Sequence, residues 1–388
     1  MRIVELVAHH VRVPLKKAIR HASHTRTATD NIIVRAVLAD GTVGYGEGVP
    51  RDYVTGETID SSLEKLKQAD WKSQFDSVPN FGNAIAAAER IVLPTGTSDD
   101  RRIQGNAARC AVELAFLDAY GRYYGENLLG VVRSLTPELY EPRDAVRYSA
   151  IIASAQGLKL WIASTGYRWY GFQQVKVKVG IEGYDDVKRL KMVRSRFGPD
   201  ASIRVDANEA WSPGEAVERI RGLEPYGIDS VEQPLPHEQL SANRELRKQI
   251  PIPIMFDESL CGLIDAERAV QGQLCDLFNL RLSKCGGFIP SLRLAQFAMR
   301  AGLGYQLGCQ VGETAILSSA GRMFATAVKG LKFLEGSYDR HLVRESLAAE
   351  DITFRRGGLA PMLSGCGLGI RIADDKLHAM TVRKESLL

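Results

Sequence analysis

The stretches 203-IRVDAN-208, 229-DSVEQPL-235 and 254-IMFDES-259 decide the fold of this 388-residue chain. Each contains a short apolar run that ends on an acid, and the acids Asp206, Glu232 and Asp257 stand 26 (232 − 206) and 25 (257 − 232) residues apart. One strand and its returning helix take roughly 25 residues of a (β/α)8 barrel, whose chemistry lies at the carboxyl ends of the strands. The spacing therefore predicts three carboxylates at one barrel mouth, where they can bind a hard divalent cation.

Two lysines extend this register upstream. In 172-FQQVKVKVG-180, Lys176 and Lys178 are two residues apart, and Lys178 precedes Asp206 by 28 residues (206 − 178). That distance is again close to one barrel unit. Because side chains at i and i+2 of a strand share a face, both ammonium groups are predicted to point into the same barrel mouth as the acids.

The composition excludes several classes of protein. A hydrophobic content of 45% and a charged content of 25% are those of an ordinary soluble globular protein. The net charge of +4 is small and dispersed, which argues against a nucleic-acid partner. No apolar run is long enough for a membrane span, and no signal peptide is recognisable. The six cysteines lack CxxC spacing, so we expect reduced thiols in a cytoplasmic protein.

Three regions follow one another along the chain. Residues 1–60 alternate like antiparallel strands, with polar loops predicted at 16–30 and 50–57. From 58 to 125 the pattern is helical, most clearly in 106-NAARCAVELAFLDAYGRYYG-125. Eight strands separated by helical patterns follow between about 145 and 336, beginning with 145-AVRYSAIIAS-154. We therefore predict an α/β fold with a capping domain (1–135), a closed parallel barrel (136–340) and a C-terminal segment (341–388) that returns to the cap.

The barrel mouth supports a definite chemistry. A cation bound by the three acids keeps open positions for a substrate carboxylate and can stabilise the enediolate formed when the α-proton leaves. Lys178 is the predicted general base because it lies nearer the strand end than Lys176. A free lysine, with a pKa of about 10.4, is a poor base. The neighbouring Lys176 ammonium and the metal are expected to lower the pKa of Lys178.

These pieces resemble the muconate-lactonizing (muconate cycloisomerase) subgroup of the enolase superfamily over nearly the whole chain. The matching motifs are Lys176-x-Lys178, VDAN (205–208), VEQP (231–234), DES (257–259) and KCGG (284–287). The resemblance implies a (β/α)7β TIM-like barrel under an N-terminal α+β capping domain that the C-terminal tail completes. It also implies one Mg²⁺ per chain, replaceable by Mn²⁺, with Asp206, Glu232 and Asp257 as ligands. The cap loops at 16–30 and 50–57 would close over the substrate and set its specificity.

One position departs from the family pattern. Where the family usually has N-x-K-x-x-K-x-G-G, this chain has 279-NLRLSKCGG-287, which places Arg281 opposite Lys178 and 24 residues (281 − 257) after Asp257. Arginine does not deprotonate near neutral pH, so it cannot return a proton as lysine does. It can still stabilise developing charge, and we count Arg281 as catalytic beside Lys178 and Lys176. The alternative role is an ion pair with Glu258 or Glu313.

We therefore predict a Mg²⁺-dependent isomerase or lyase that removes the proton α to the carboxylate of a small molecule. With Lys178 as the only base, the reaction would be cycloisomerisation, as in muconate cycloisomerase, or elimination, as in o-succinylbenzoate synthase or a dehydratase. The alternative is a dipeptide or acyl-amino-acid epimerase or racemase, with Lys284 or a cap-loop histidine as second base. A metal-binding protein without turnover is a further alternative, and a homo-oligomer is expected. The residues expected to contact substrate are Asn208, Glu313, His21, Tyr53 and Lys284.

Overall fold

A computed structural model describes residues 1–20, 25–96, 98–336 and 338–388. The strands are β1 (Ile3–Arg20), β2 (Thr25–Leu38), β3 (Val43–Gly48), β4 (Ala145–Arg147), β5 (Ala150–Ile152), β6 (Gln174–Lys178), β7 (Ser202–Asp206), β8 (Val231–Glu232), β9 (Ile254–Phe256), β10 (Leu277–Leu280), β11 (Gly304–Leu307), β12 (Leu331–Leu334), β13 (Leu359–Pro361) and β14 (Thr381–Ser386). The α-helices are α1 (Asp52–Thr55), α2 (Ile59–Gln68), α3 (Trp71–Gln74), α4 (Phe81–Glu89), α5 (Asn106–Tyr124), α6 (Leu128–Leu135), α7 (Gly157–Tyr170), α8 (Asp186–Phe197), α9 (Pro213–Leu223), α10 (Asn243–Gln249), α11 (Leu263–Gly272), α12 (Phe288–Arg300), α13 (Ala315–Ala327), α14 (Asp339–Leu342) and α15 (Asp374–Met380).

The larger sheet is a barrel of eight parallel strands, β5 to β12, which neighbour one another in chain order. Its edges meet where the backbone N–H of Ser149, just before β5, donates to the carbonyl of Leu334 in β12 at 2.8 Å. Helices α7 to α13 provide the seven crossovers. Apolar residues fill the strands because both faces of such a sheet are covered, and Val175, Ile203 and Val231 are fully buried. The (β/α)7β barrel predicted from the sequence is confirmed.

The capping domain is built on an antiparallel sheet of order β14-β1-β2-β3. Strand β14 belongs to the C-terminal segment, so the tail returns to the cap. Helix α5 lies directly against β3. A Cβ atom at Gly44, Gly46 or Gly48 would collide with the helix backbone between Ala107 and Ala119. These alternate glycines therefore let the strand and helix backbones approach each other closely.

Two buried carboxylates of the cap hold it on the barrel. Glu113 of α5 accepts hydrogen bonds from the backbone N–H groups of Phe288 and Ile289 at the start of α12. Glu47 of β3 accepts one from the N–H of Thr314, the residue before α13, at 2.9 Å. The first turn of a helix has unpaired N–H groups and the positive end of the helix dipole. The two carboxyl groups accept hydrogen bonds from such N–H groups and lie at the positive ends of the dipoles. Burial raises the pKa of each of the two carboxyls to about 7.

Two predicted segments differ in the structure. Of the predicted loop 16–30, residues 16–20 and 25–30 belong to strands, because β1 and β2 form one long hairpin in which Arg20 is still opposite Thr25. The predicted first barrel strand, 145–154, is two short strands, since β4 pairs with β13 and only β5 enters the barrel. Within the described ranges, the structure contains no helix with the length and apolar character of a membrane span.

Candidate active site

The three predicted metal ligands lie side by side at the carboxyl ends of adjacent strands. Asp206 ends β7 and is paired in register with Glu232, which ends β8. Glu232 is paired in turn with Met255 of β9, so Asp257, two residues further on, points to the same side. All three side chains are almost completely buried. The even spacing in sequence thus places Asp206, Glu232 and Asp257 in an arc at the barrel mouth. We call these three residues the arc acids.

Two cations bridge this arc. The Nζ of Lys176 lies 3.3 Å from a carboxylate oxygen of Asp206 and 3.3 Å from one of Glu232. The guanidinium of Arg281 lies 3.5 Å from Glu232 and is in close contact with Asp257. Arg281 therefore pairs with two of the predicted metal ligands, and not with Glu258 or Glu313 as the alternative role supposed. Each cation is thus shared between two neighbouring acids.

Two of the acids differ in how readily they ionise. Burial, reinforced by the neighbouring Asp206 carboxylate, raises the pKa of Glu232 to about 8. At Asp257 burial acts in the same direction, but Arg281 and Lys284 outweigh it and hold its pKa below the usual range. A buried carboxyl that resists ionisation beside another carboxylate is a site where an additional positive charge is favourable.

The donor chemistry of the arc fits a hard divalent cation, because such ions prefer carboxylate oxygens. The carboxylate oxygens of the three acids nevertheless do not all lie within 4.8 Å of one another. In the described part of the chain, the only trio of His, Cys, Asp or Glu side chains with ligand atoms within 4.8 Å of one another is Glu209, His237 and Glu238. Lys176 and Arg281 contact the arc acids, so a bound cation would share the negative charge of these acids with the two side chains.

Lys178 lies beside the arc, and its side chain makes one strong contact within the part of the chain that the structure describes. Its Nζ donates to Oδ1 of Asn208 at 2.7 Å. Asn208 follows β7 with a positive φ of 43°, a conformation that asparagine tolerates better than most residues. Its side-chain amide is 3.5 Å from Glu258. The turn after β7 thus presents an amide oxygen that orients the predicted base.

A cavity of about 280 Å³ opens at this end of the barrel. Tyr53 of the cap lines it, together with Lys178, Asn208, Arg281 and Glu313 of the barrel. Most of the predicted site residues therefore share one space. The other lining residues are Ile151, Ala153, Lys176, Asp206, Glu258, Cys309, Gln310, Val311, Ser318, Glu335, Gly336, Tyr338, Asp339 and Leu342.

Glu335 is a site residue that the sequence analysis missed. It follows β12 and accepts from Lys176 at 2.8 Å and from the buried Arg204 at 2.6 Å. Although burial opposes ionisation, these two cations lower the pKa of Glu335 to about 2. Burial alone would lower the pKa of Lys176. The negative charges of Glu232, Glu335 and Asp206 outweigh burial and hold this pKa above its usual range. The sequence does contain a signal for Glu335. This acid ends the apolar run in 331-LKFLEG-336, just as each arc acid ends an apolar run.

Two predicted substrate contacts lie elsewhere. Lys284 does not line the cavity. It is buried behind Asp257 and donates to that residue's carbonyl (2.7 Å) and carboxylate (2.8 Å), and to the Asn279 carbonyl (2.9 Å). All three of its donors are used, so the structure does not support Lys284 as a second base. His21 lies outside the described residues.

Residues 162–376 match the family model described as Enolase C-terminal domain-like. The chain is 30% identical over 385 residues to N-succinyl-L-Arg/Lys racemase of Bacillus cereus, covering 98% of each chain. It is 30% identical over 341 residues to hydrophobic dipeptide epimerase of Enterococcus faecalis, covering 85% of this chain and 89% of the relative. The crystal structure of the dipeptide epimerase from Cytophaga hutchinsonii, with Mg and D-Ala-L-Val, has a TM-score of 0.84 at 25% identity and covers 100% of both chains.

The crystal structure of the Bacillus cereus racemase superposes with a TM-score of 0.85 at 26% identity over 100% of both chains. These relatives are racemases and epimerases. They support the predicted alternative reaction and not the muconate-cycloisomerase-like or lyase reaction that the sequence analysis put first. The match over more than half of the chain and the full-length similarity establish the family. The chain belongs to the enolase superfamily.

Proposed function

We propose that this chain is a Mg²⁺-dependent racemase or epimerase that removes and returns the α-proton of an N-acyl amino acid or a dipeptide. The observation that carries the proposal is the single cavity in which Lys178, Arg281 and Asp206 meet. The substrate class is supported by the relatives, which are named for N-succinyl-Arg/Lys and for dipeptides. An apolar wall that includes Ile151 and Val311 suits the carbon skeleton of such a substrate.

Asp206, Glu232 and Asp257 are the residues that would hold the cation. When bound, Mg²⁺ supplies a Lewis acid that polarises the substrate carboxylate and acidifies its α-hydrogen. Lys178 accepts the α-proton at Nζ, the atom that Asn208 orients at 2.7 Å. Arg281 offers a fixed positive charge to the carboxylate while the negative charge builds up.

Return of the proton requires a donor on the opposite face. Arg281 follows β10, four strands from β6 in an eight-stranded barrel, so it faces Lys178 across the mouth. A guanidinium does not transfer protons near neutral pH. Glu313 lines the same cavity just beyond β11, and burial raises its pKa to about 8. A carboxyl group with that pKa is largely protonated at pH 7 and is well matched to general acid chemistry. We assign the second proton transfer to Glu313.

Asp339 supports a substrate that carries a hydrogen-bond donor. Its side chain is buried and lines the cavity. One carboxylate oxygen accepts from the Ser346 hydroxyl at 2.7 Å, and the other, Oδ1, is buried with no hydrogen-bond partner among the described residues. An unpaired buried acceptor costs free energy that a ligand donor recovers. The amide N–H or ammonium group of a dipeptide or acylated amino acid is such a donor.

Hydrogen–deuterium exchange tests the proposal. With Mg²⁺ in D₂O, ¹H NMR of N-succinyl amino acids and dipeptides should show loss of the α-hydrogen signal from both stereoisomers at the reacting carbon. Lys178→Ala should reduce this exchange by roughly 100- to 10,000-fold, the range that a general base contributes. Lys72→Ala, a change at an exposed lysine, should leave it unaltered. Exchange restricted to one stereoisomer, or absent from every compound, would contradict the racemase assignment.

A further inference from the structure

The turn that carries Asn208 has an unusual backbone conformation. Asn208 and the next residue, Glu209, both have a positive φ, of 43° and 66°. Asparagine tolerates this left-handed conformation, but glutamate adopts it poorly because its Cβ crowds the backbone. Glycine adopts such a φ readily. Glutamate at position 209 thus opposes the preference of the backbone, and the contacts of its side chain must offset this strain.

The Glu209 carboxylate joins this turn to the segment that follows β8. Its Oε1 accepts a hydrogen bond from the backbone N–H of His237 at 2.7 Å and lies 2.7 Å from Nδ1 of the same residue. An ionised carboxylate only accepts hydrogen bonds, so Nδ1 carries the hydrogen. The Glu209 side chain is 24% exposed and that of His237 is 32% exposed, so water reaches the pair only in part. Two donors on one charged oxygen make a strong and directional link.

Backbone hydrogen bonds join the same two segments. The Glu209 N–H donates to the Gln233 carbonyl at 2.8 Å, and the Trp211 N–H donates to the Pro234 carbonyl at 3.2 Å. Glu209 is therefore fixed both at its backbone and at the end of its side chain. A residue held at two points has little freedom to rotate, and the peptide group that it shares with Asn208 is restricted with it.

We propose that Glu209, with His237 as its partner, is a positioning residue that holds Asn208 in the conformation in which its amide oxygen orients Lys178. The proposal rests on the proposed function, in which Lys178 is the base. Neither Glu209 nor His237 lines the cavity, so the pair acts through Asn208 and not on the substrate. A base that is displaced from its reacting geometry accepts protons less efficiently. We call Glu209 and His237 the turn clamp.

Glu209→Gly separates the turn clamp from the fold. Glycine suits the positive φ, so the variant loses the carboxylate without new backbone strain and should retain the circular dichroism spectrum and the Tm of the parent. With Mg²⁺ in D₂O, kcat for α-hydrogen exchange should fall by roughly 10- to 100-fold, the larger loss corresponding to a displacement of about 1 Å. KM should stay within about twofold of the parent value. Gln273→Gly is the matched control, since Gln273 also has a positive φ (55°), is exposed and precedes β10 at the other end of the barrel.

Three further variants distinguish positioning from a loss of bulk. Glu209→Gln keeps an oxygen that can accept from both donors of His237, so it should retain most of the parent kcat. His237→Ala removes the ring donor and should lower kcat. The double variant Glu209→Gly/His237→Ala should be no slower than Glu209→Gly, because the ring acts only through the carboxylate. Additive losses in the double variant, a Glu209→Gln variant as slow as Glu209→Gly, or a raised KM at unchanged kcat would overturn the turn clamp.

NMR of the Asn208 side chain provides a measurement that does not require turnover. In protein labelled with ¹⁵N-asparagine, the side-chain amide signals of Asn208 are assigned by their loss in Asn208→Asp. They should shift and broaden in Glu209→Gly and keep their parent positions in Glu209→Gln and Gln273→Gly. Unchanged signals in Glu209→Gly would overturn the positioning role. A parent protein that shows these shifts but no α-hydrogen exchange would contradict the proposed function and support the positioning of Asn208 by Glu209.

Discussion

Lys178 and Arg281 face each other across the barrel mouth, but only the lysine can exchange a proton near neutral pH. The enolase family pattern has lysine at both positions, and the substitution of arginine changes what the opposite side can do. In this chain Arg281 is engaged with Glu232 and Asp257. We therefore propose that Glu313 carries out the proton transfer on that side.

Glu313→Gln separates the two proton transfers. The amide cannot exchange a proton, so net racemisation should fall at least 100-fold, the lower end of what a general acid contributes. Exchange on the face served by Lys178 should continue, because that step does not require Glu313. Polarimetry together with ¹H NMR in D₂O measures both quantities. Equal losses of racemisation and of single-face exchange would assign Glu313 to binding or folding and not to proton transfer.

Arg281 should also compete with the cation for the arc. Its positive charge lies against Glu232 and Asp257, so Arg281→Met should tighten Mg²⁺ binding by about tenfold, or about 1.4 kcal/mol. Isothermal titration calorimetry without substrate measures this. Arg196→Met, an arginine outside the arc, is the control and should not change the affinity. Weaker binding in Arg281→Met would show that the guanidinium holds the ligands in place.

At the scale of the elements, the cap is fixed to the barrel by acids at helix starts. Glu113 serves α12 and Glu47 serves α13, and both are fully buried. Burial raises the pKa of Glu113 to about 7, above the value of about 4.5 for an unfolded chain. A raised pKa means that the folded state binds the proton more tightly. This stabilisation is fully present below about pH 4.5 and is lost as the pH rises through 7.

Glu113→Gln should remove this dependence. The difference in unfolding free energy between parent and variant should fall by about 3 kcal/mol from pH 4.5 to pH 7.5, at 1.36 kcal/mol per pKa unit. Urea unfolding at a series of pH values measures it. Glu126→Gln, at a half-exposed acid on the cap, should show no such trend. A difference that does not change with pH would mean that Glu113 remains ionised in the folded protein.

The sequence predicted the barrel elements well and the cap elements less well, for physical reasons. The arc acids and Lys178 follow from the barrel period and the two-residue alternation of a strand, which are local rules. The hairpin of β1 and β2 depends on pairing between segments, so its polar residues by themselves predict a loop. Asp339 begins the short helix α14, where no periodicity places a side chain. Its position in the cavity is visible only in the folded chain.

At the scale of the whole molecule, cation binding should stabilise the barrel and not only activate it. The arc links β7, β8 and β9, and a bound cation would offset the repulsion between Asp206 and Glu232 and so favour the folded state. At a concentration 100 times the Kd, a ligand stabilises the folded protein by about 2.7 kcal/mol. For 388 residues this corresponds to a rise in Tm of about 3 °C.

Differential scanning calorimetry in EDTA and in excess Mg²⁺ measures the shift. Asp206→Asn, which removes one ligand charge, should abolish most of it. Glu350→Gln, a change in an exposed ion pair with Arg371, should retain the full shift. A Tm that is independent of Mg²⁺ in the parent protein would show that the acids of the arc do not bind the cation.

The pairing of β1 with β14 has a consequence for synthesis of the protein. Residues 3–20 leave the ribosome before residues 381–386, with which residues 7–11 of β1 pair along one edge. At 5–20 residues per second, the delay between the two segments is roughly 20 to 80 s. The nascent cap carries an open strand edge throughout this time, and such edges invite aggregation. The sheet of the cap is thus completed only after the barrel strands have been synthesised, and a chain that stopped before residue 381 would lack the strand that pairs with this edge of β1.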